Sequence, residues 1–138
     1  MERTLLMVKP DGTERHLTGK ILARLEESGF RLLGLKLVKI SPERARKFYA
    51  VHEGRPFLDE LVDFMSSGPV AVVALQKQNA IVDLRAFVGA TDPAQAACGT
   101  IRADWGLDKG KNTVHASDSV DNGKIEIAFH FKDEELVG

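Results

Sequence analysis

The chain has 138 residues, 43% of them hydrophobic and 28% charged, which describes one domain with a proper core and argues against disorder. With 19 Lys and Arg against 20 Asp and Glu the net charge is −1, and a general nucleic-acid or membrane-surface role gets no support from that balance. The lone Cys98 excludes an internal disulfide, no Cys/His group has zinc spacing, and no apolar run approaches the roughly 20 residues of a membrane span.

Thr4-Leu5-Leu6-Met7-Val8 predicts a central strand, closed by the turn Lys9-Pro10-Asp11-Gly12. The strand pattern starts directly after Met1-Glu2-Arg3, leaving no room for a signal peptide, so the expected compartment is the cytoplasm. Ile21, Leu22 and Leu25 recur at helical spacing between Thr18 and Ser28, with Gly29 as the stop. A second strand is expected from Phe30 to Ile40. Ser41-Pro42 then pairs a cap residue with proline at the first helical position, opening a helix that carries Phe48 and Tyr49. After Pro56, Leu58, Leu61, Val62 and Met65 share one helix face, ended by Ser67-Gly68-Pro69. The almost wholly apolar stretch from Val70 to Leu75 predicts a fully buried strand. Asn79 to Val88 is helical again. Asp92 to Asp118 has little core signal and is expected to be irregular, as long functional segments often are. Ile125-Glu126-Ile127-Ala128-Phe129 alternates and is expected to be the last strand. Four strands with helices on one face make an α+β sandwich.

Asn112-Thr113-Val114-His115-Ala116-Ser117-Asp118 sets one histidine among polar and small neighbours and predicts a loop. A free imidazole, with a pKa of roughly 6.5, is mostly neutral in the cytosol and can attack an electrophile without first losing a proton. Lys9, Arg85 and Arg102 are separated cations that together with His115 could neutralise a transferring phosphoryl group. Phe57 is either a core contact or a stacking surface for a base, and Tyr49 carries the same ambiguity. Cys98 and Trp105 read as structural, and His16, His52 and His130 as non-catalytic. Gly106-Leu107-Asp108-Lys109-Gly110-Lys111-Asn112 is not a P-loop: it has three residues between its glycines instead of four, Asn in place of Ser or Thr, and no preceding strand.

Asn112-x-x-His115-x-Ser117-Asp118, Lys9-Pro10-Asp11-Gly12, Arg55-Pro56-Phe57, Ser67-Gly68-Pro69 and Gly99-Thr100-Ile101-Arg102 resemble, in the same order over essentially the whole chain, the nucleoside diphosphate kinase family. The resemblance implies a ferredoxin-like sandwich, a four-stranded antiparallel sheet covered by helices. It also implies a two-step transfer in which a nucleoside triphosphate, typically ATP, gives its γ-phosphoryl group to His115 Nδ1. The phosphohistidine then passes it to a nucleoside diphosphate such as GDP, with breadth in base and sugar. By position, Lys9, Arg85, Thr91, Arg102 and Asn112 would contact phosphates, Asn112 serving the sugar as well. Phe57, with Leu61 nearby, would sandwich the base. Tyr49, Ser117 and Glu126 would stand behind the histidine, Glu126 holding the far ring nitrogen and its tautomer. Mg²⁺ would be held mainly by the nucleotide phosphates, with no protein metal site. A homo-oligomer is implied, hexamer favoured over tetramer because Glu134-Glu135-Leu136-Val137 resembles the tail of hexameric members.

Four positions depart from the family pattern: Ala116 and His16 stand where Gly is usual, Lys109 near the base where an apolar residue is common, and Asn122-Gly123 weakens a short helix expected after Ser119. Two rival readings are a ferredoxin-like module that binds nucleotide or RNA without catalysis, and a metal hydrolase built on His52, His115 and Asp118. The expected strands display aliphatic residues rather than the aromatics of RNA readers, and the hydrolase lacks ligand spacing.

Overall fold

A computed structural model describes residues 1–138. In chain order it contains β1 (Glu2–Val8), α1 (Pro10–Glu14), α2 (Thr18–Glu27), β2 (Arg31–Val38), α3 (Pro42–Phe48), α4 (Leu58–Met65), β3 (Val70–Lys77), α5 (Ala80–Val88), α6 (Ile101–Trp105), β4 (Val114–Ala116) and α7 (Val120–His130). Short 3-10 turns occupy Ala50–His52, Pro93–Gln95 and Asp133–Glu135. The sheet runs β2-β3-β1-β4 with every pair antiparallel, the four-stranded ferredoxin-like α+β sandwich.

Successive strand residues point to opposite faces, so β1 and β3, at the centre, must be apolar on both. Leu6 and Val8 of β1 join Ala71, Val73 and Leu75 of β3 in one core, closed by Ile21 and Leu25 of α2 and Leu84 and Val88 of α5. Leu5, Met7, Val70, Val72 and Ala74 face the other way, under Ala45 of α3, Val62 and Met65 of α4 and Ile127 of α7. Helices therefore cover both faces of the sheet, correcting the expectation of one. That also leaves no open sheet face of the kind RNA readers use.

The helix starts follow local chemistry. Ser41 Oγ accepts from the Arg44 amide at 3.2 Å, and Pro42 sits where a missing N–H costs nothing.

Three expectations fail between Asp92 and Phe129. The fourth strand is Val114–Ala116, so His115 lies on a strand and not in a loop. Arg102 lies on α6, whose cap Thr100 accepts from the Ala103 amide at 3.2 Å. Ile125 to Phe129 belongs to α7 and not to a strand. Ser119 caps α7 by accepting from the Asn122 amide at 3.0 Å, and Gly123 lets it lie against β1: a Cβ there would meet the Arg3 carbonyl at 2.9 Å. The glycine expected to weaken this helix is what allows its close approach.

Candidate active site

β4 is only three residues long and exists through its pairing with β1, in which Met7 faces His115. Val114 and Ala116 turn into the core beneath α5, so His115, between them, points to the opposite side. There it opens on a cleft of about 1280 Å³. Lys9, Arg85, Thr91, Arg102 and Asn112 line the same cleft, as do Tyr49, Phe57, Leu61 and Glu126. Ser117 lies behind the wall, fully buried.

His115 Nε2 is 2.7 Å from Glu126 Oε1 on α7. An ionised carboxylate can only accept, so Nε2 carries the proton and Nδ1 keeps its lone pair. The Ser117 hydroxyl donates to the same Glu126 oxygen at 2.9 Å and accepts from the Leu5 amide at 3.2 Å. The carboxylate is thus tied to β1 as well as to the ring.

The cations are held by neutral groups. Lys9 Nζ donates to Asn112 Oδ1 at 2.8 Å, and Asn112 Nδ2 donates to the carbonyls of Thr91 at 2.9 Å and Lys109 at 3.1 Å. Arg102 donates to the Gly89 carbonyl at 3.0 Å and the Val114 carbonyl at 2.8 Å, leaving its buried Nε unpaired. Burial, and then the neighbouring Arg85, lower the Arg102 pKa to about 10. Burial, with Arg102 second, lowers that of Lys9 to about 8. Cations without carboxylate partners pay for desolvation, and an incoming polyanion is the partner that relieves it. Arg85, from α5, reaches the Ala116 carbonyl at 3.4 Å.

The motif segment around Asp11 and Thr113 braces this arrangement without any role having been read for either residue. Thr113 adopts φ +75°, a strained value for a β-branched side chain. Its amide donates to Asp11 Oδ2 at 3.0 Å and its carbonyl accepts from the Lys9 amide at 2.8 Å. Burial raises the Asp11 pKa, and the Thr113 hydrogen bond opposes the rise. Tyr49 is buried with its hydroxyl unpaired, and burial raises its pKa, helped by Glu126.

A model of the family described as nucleoside diphosphate kinase matches residues 2–136. The chain belongs to the nucleoside diphosphate kinase family. It is therefore an enzyme, a nucleotide-binding kinase. Proteins named nucleoside diphosphate kinase from a Roseiflexus species (strain RS-1) and from Methylobacterium radiotolerans are 49% and 51% identical to it, over 99% and 98% of this chain and 92% and 96% of theirs. The solved nucleoside diphosphate kinase of Aquifex aeolicus matches at TM-score 0.97 and 48% identity, covering 99% of each chain. A halophilic nucleoside diphosphate kinase from Halobacterium salinarum, solved in complex with CDP, matches at TM-score 0.95 and 47% identity over 99% of this chain and 91% of that one.

The departures from the family pattern fall differently on the structure. Ala116 lies on β4 opposite Leu6, outside the left-handed region, so no glycine is needed there. His16 does adopt φ +59°, the conformation that favours glycine. Lys109 lines the cleft.

Proposed function

We propose that the enzyme works by a ping-pong relay through His115. Nδ1 attacks the γ-phosphorus of a nucleoside triphosphate, an N–P bond forms as the bond from that phosphorus to the bridging oxygen breaks, and the nucleoside diphosphate leaves with the bridging oxygen. In the second half the terminal phosphate oxygen of another nucleoside diphosphate attacks the same phosphorus, and Nδ1 leaves with its electron pair restored. The observation that carries this reading is the 2.7 Å contact between His115 Nε2 and Glu126, which leaves Nδ1 as the nucleophile. No proton has to move at either step.

Lys9, Arg85 and Arg102 would meet the charge on the phosphoryl oxygens, with Thr91 as a neutral donor and Asn112 holding Lys9 in place beside the phosphates, so that catalysis is mostly positioning and charge neutralisation. Phe57 is 45% exposed in the cleft, which supports a stacking role with Leu61 beside it. Every base has a π-face, and stacking without hydrogen-bond readout fits breadth in substrate.

No group of three or more His, Cys, Asp or Glu side chains is placed to hold a metal ion, which disfavours a hydrolase built on His52, His115 and Asp118. A Mg²⁺ ion would instead arrive on the nucleotide, held mainly by its phosphates, and the Asp118 carboxylate in the cleft wall would offer it a protein oxygen. Bound there, the ion would draw charge from the phosphate oxygens.

We also infer a homo-oligomer, with a hexamer favoured over a tetramer. β2 is an edge strand with Leu35 and Leu37 exposed, which supports pairing between copies. No helix is long and apolar enough to cross a membrane, and a cytoplasmic setting is proposed with it. The test of the activity is ATP-to-GDP transfer by the wild type and by His115→Gln. The variant should fold and bind nucleotide but transfer nothing, and retained transfer would rule the relay out.

A further inference from the structure

Phe48, the last residue of α3, is the hub of a cluster of aromatic rings. The Tyr49 ring lies 4.9 Å away at 80°, Phe129 at 5.3 Å and 72°, and His130 at 5.2 Å and 44°. The fourth neighbour is His115, with ring centroids 5.4 Å apart and planes at 72°, an edge-to-face contact.

The far side of this cluster is anchored. Arg44 stacks over Phe129 at 4.3 Å and donates to its carbonyl at 2.9 Å, while Lys36 donates to the His130 carbonyl at 2.9 Å. His130 Nε2 is buried without a partner. Burial first, then Arg44 and His115, lower its pKa to about 4, against smaller opposition from Glu126. At neutral pH it is therefore an uncharged ring that packs and does not compete for the Glu126 carboxylate.

A single hydrogen bond to Glu126 fixes where His115 Nε2 sits and which tautomer the ring adopts. It does not fix the tilt of the ring about that contact. Tilt is what decides where the Nδ1 lone pair points, and in-line attack needs that direction held. Tyr49, at 6.2 Å and 84°, borders His115 from a second position. We propose that Phe48 is a positioning residue for phosphoryl transfer: its ring, clamped from behind by Phe129 and His130, sets the tilt of His115 so that Nδ1 faces the incoming phosphorus. The proposal rests on His115 being the phosphoryl carrier.

The test is steady-state kinetics on Phe48→Leu and Phe48→Tyr, together with ¹⁵N-imidazole NMR of His115. Leucine keeps apolar bulk and removes the planar wall, so kcat should fall by about ten- to a hundredfold while KM for the nucleotide holds. The NMR should show the Nε2–H tautomer intact, because Glu126 still sets it, with the His115 ring-proton shifts moved. Tyrosine keeps the ring and should retain most of kcat. Phe48 also lines the cleft. A rise in KM with kcat unchanged would make it a nucleotide contact and overturn the proposal. So would an unaltered kcat, or a fall in both variants that tracks a lowered melting temperature. If the wild type itself takes up no acid-labile phosphate from ATP, the histidine relay fails and this inference with it. If it does and Phe48→Leu takes it up equally fast, only the role of Phe48 is lost.

Discussion

His115 and Glu126 meet at 2.7 Å across the join between β4 and α7, and Ser117, two residues after the histidine, donates to the same carboxylate oxygen. Under the proposed relay the strand supplies the nucleophile and the helix supplies what fixes its tautomer. Each is held to β1: β4 by strand pairing, α7 by the bare Cα of Gly123. Removing the carboxylate should therefore damage chemistry more than binding. We predict that Glu126→Ala lowers kcat by roughly 10- to 100-fold, the range seen when a partner that orients a histidine ring is lost, with nucleotide affinity nearly unchanged. Kinetics with a parallel binding isotherm distinguish this from a general loss of structure.

Lys9 makes a pH prediction whose sign is set by burial. Its pKa is lowered from the ordinary 10.5 to about 8, so the folded protein sheds this proton before the unfolded chain does. Between those values the unfolded chain binds more protons, and the contribution of Lys9 to stability rises with pH across that window. Binding behaves oppositely. The free enzyme loses the cation above about pH 8, and a bound phosphate restores it. At a pH somewhat above that value ADP binding should take up protons, seen by calorimetry in buffers of different ionisation heat. Lys9→Met should bind more weakly and lose this component of the uptake. An uptake in Lys9→Met equal to that of the wild type would assign the proton to another group.

Gly89 gives a prediction that joins fold to site. It closes α5 at φ +88°, a Cβ there would lie 2.5 Å from Thr100 Oγ1, and its carbonyl receives Arg102. Gly89→Ala should cost about 1–3 kcal/mol of stability through the strained backbone. It should also displace Arg102 and weaken nucleotide binding. Denaturant unfolding and a binding titration on the same preparation would expose both effects, and a variant with unchanged unfolding would remove the steric basis of the claim.

Phe57 is exposed over nearly half its surface beside the cleft, where a core role would have buried it. If it stacks on the base, Phe57→Ala should weaken binding by about 1–3 kcal/mol for purine and pyrimidine nucleotides, with little change in kcat. A loss confined to one base would indicate hydrogen-bond readout.

Much of the architecture is legible where local signals agree. Ser41-Pro42 opens α3, Leu58, Val62 and Met65 stripe α4, and the apolar stretch from Val70 becomes β3. The region after Asp92 is different because tertiary contacts decide it. β4 is too short to carry a period of its own. In α7 the buried positions are Gly123 and Ile127, followed by Phe131 at the cap, a spacing of four that begins with a residue no hydrophobicity pattern registers. The alternating Ile125-Glu126-Ile127 then imitates a strand. The Ser119 cap with Asp121 in the first turn was the available contrary signal, as Thr100 was for α6.

The site residues are legible for a separate reason. Their types and spacing carry the family resemblance, and the fold gathers Lys9, Arg85, Arg102 and His115 around one cleft from four different elements or their edges. Phe48 and Thr113 have no such signature, and Asp11, although it stands in one of the motifs, has a type that does not announce its bond to the Thr113 amide. An aromatic at a helix end, or a strained Thr beside a motif, acquires meaning only once its neighbours are known.

The most direct test is incubation of the protein with γ-labelled ATP, followed by acid or alkali treatment of the separated chain and addition of unlabelled GDP to a further portion. The account predicts label that survives alkali, is lost in acid, moves quantitatively to GDP and is absent from His115→Gln. Label that is stable in acid, or that persists in the His115 variant, would contradict it.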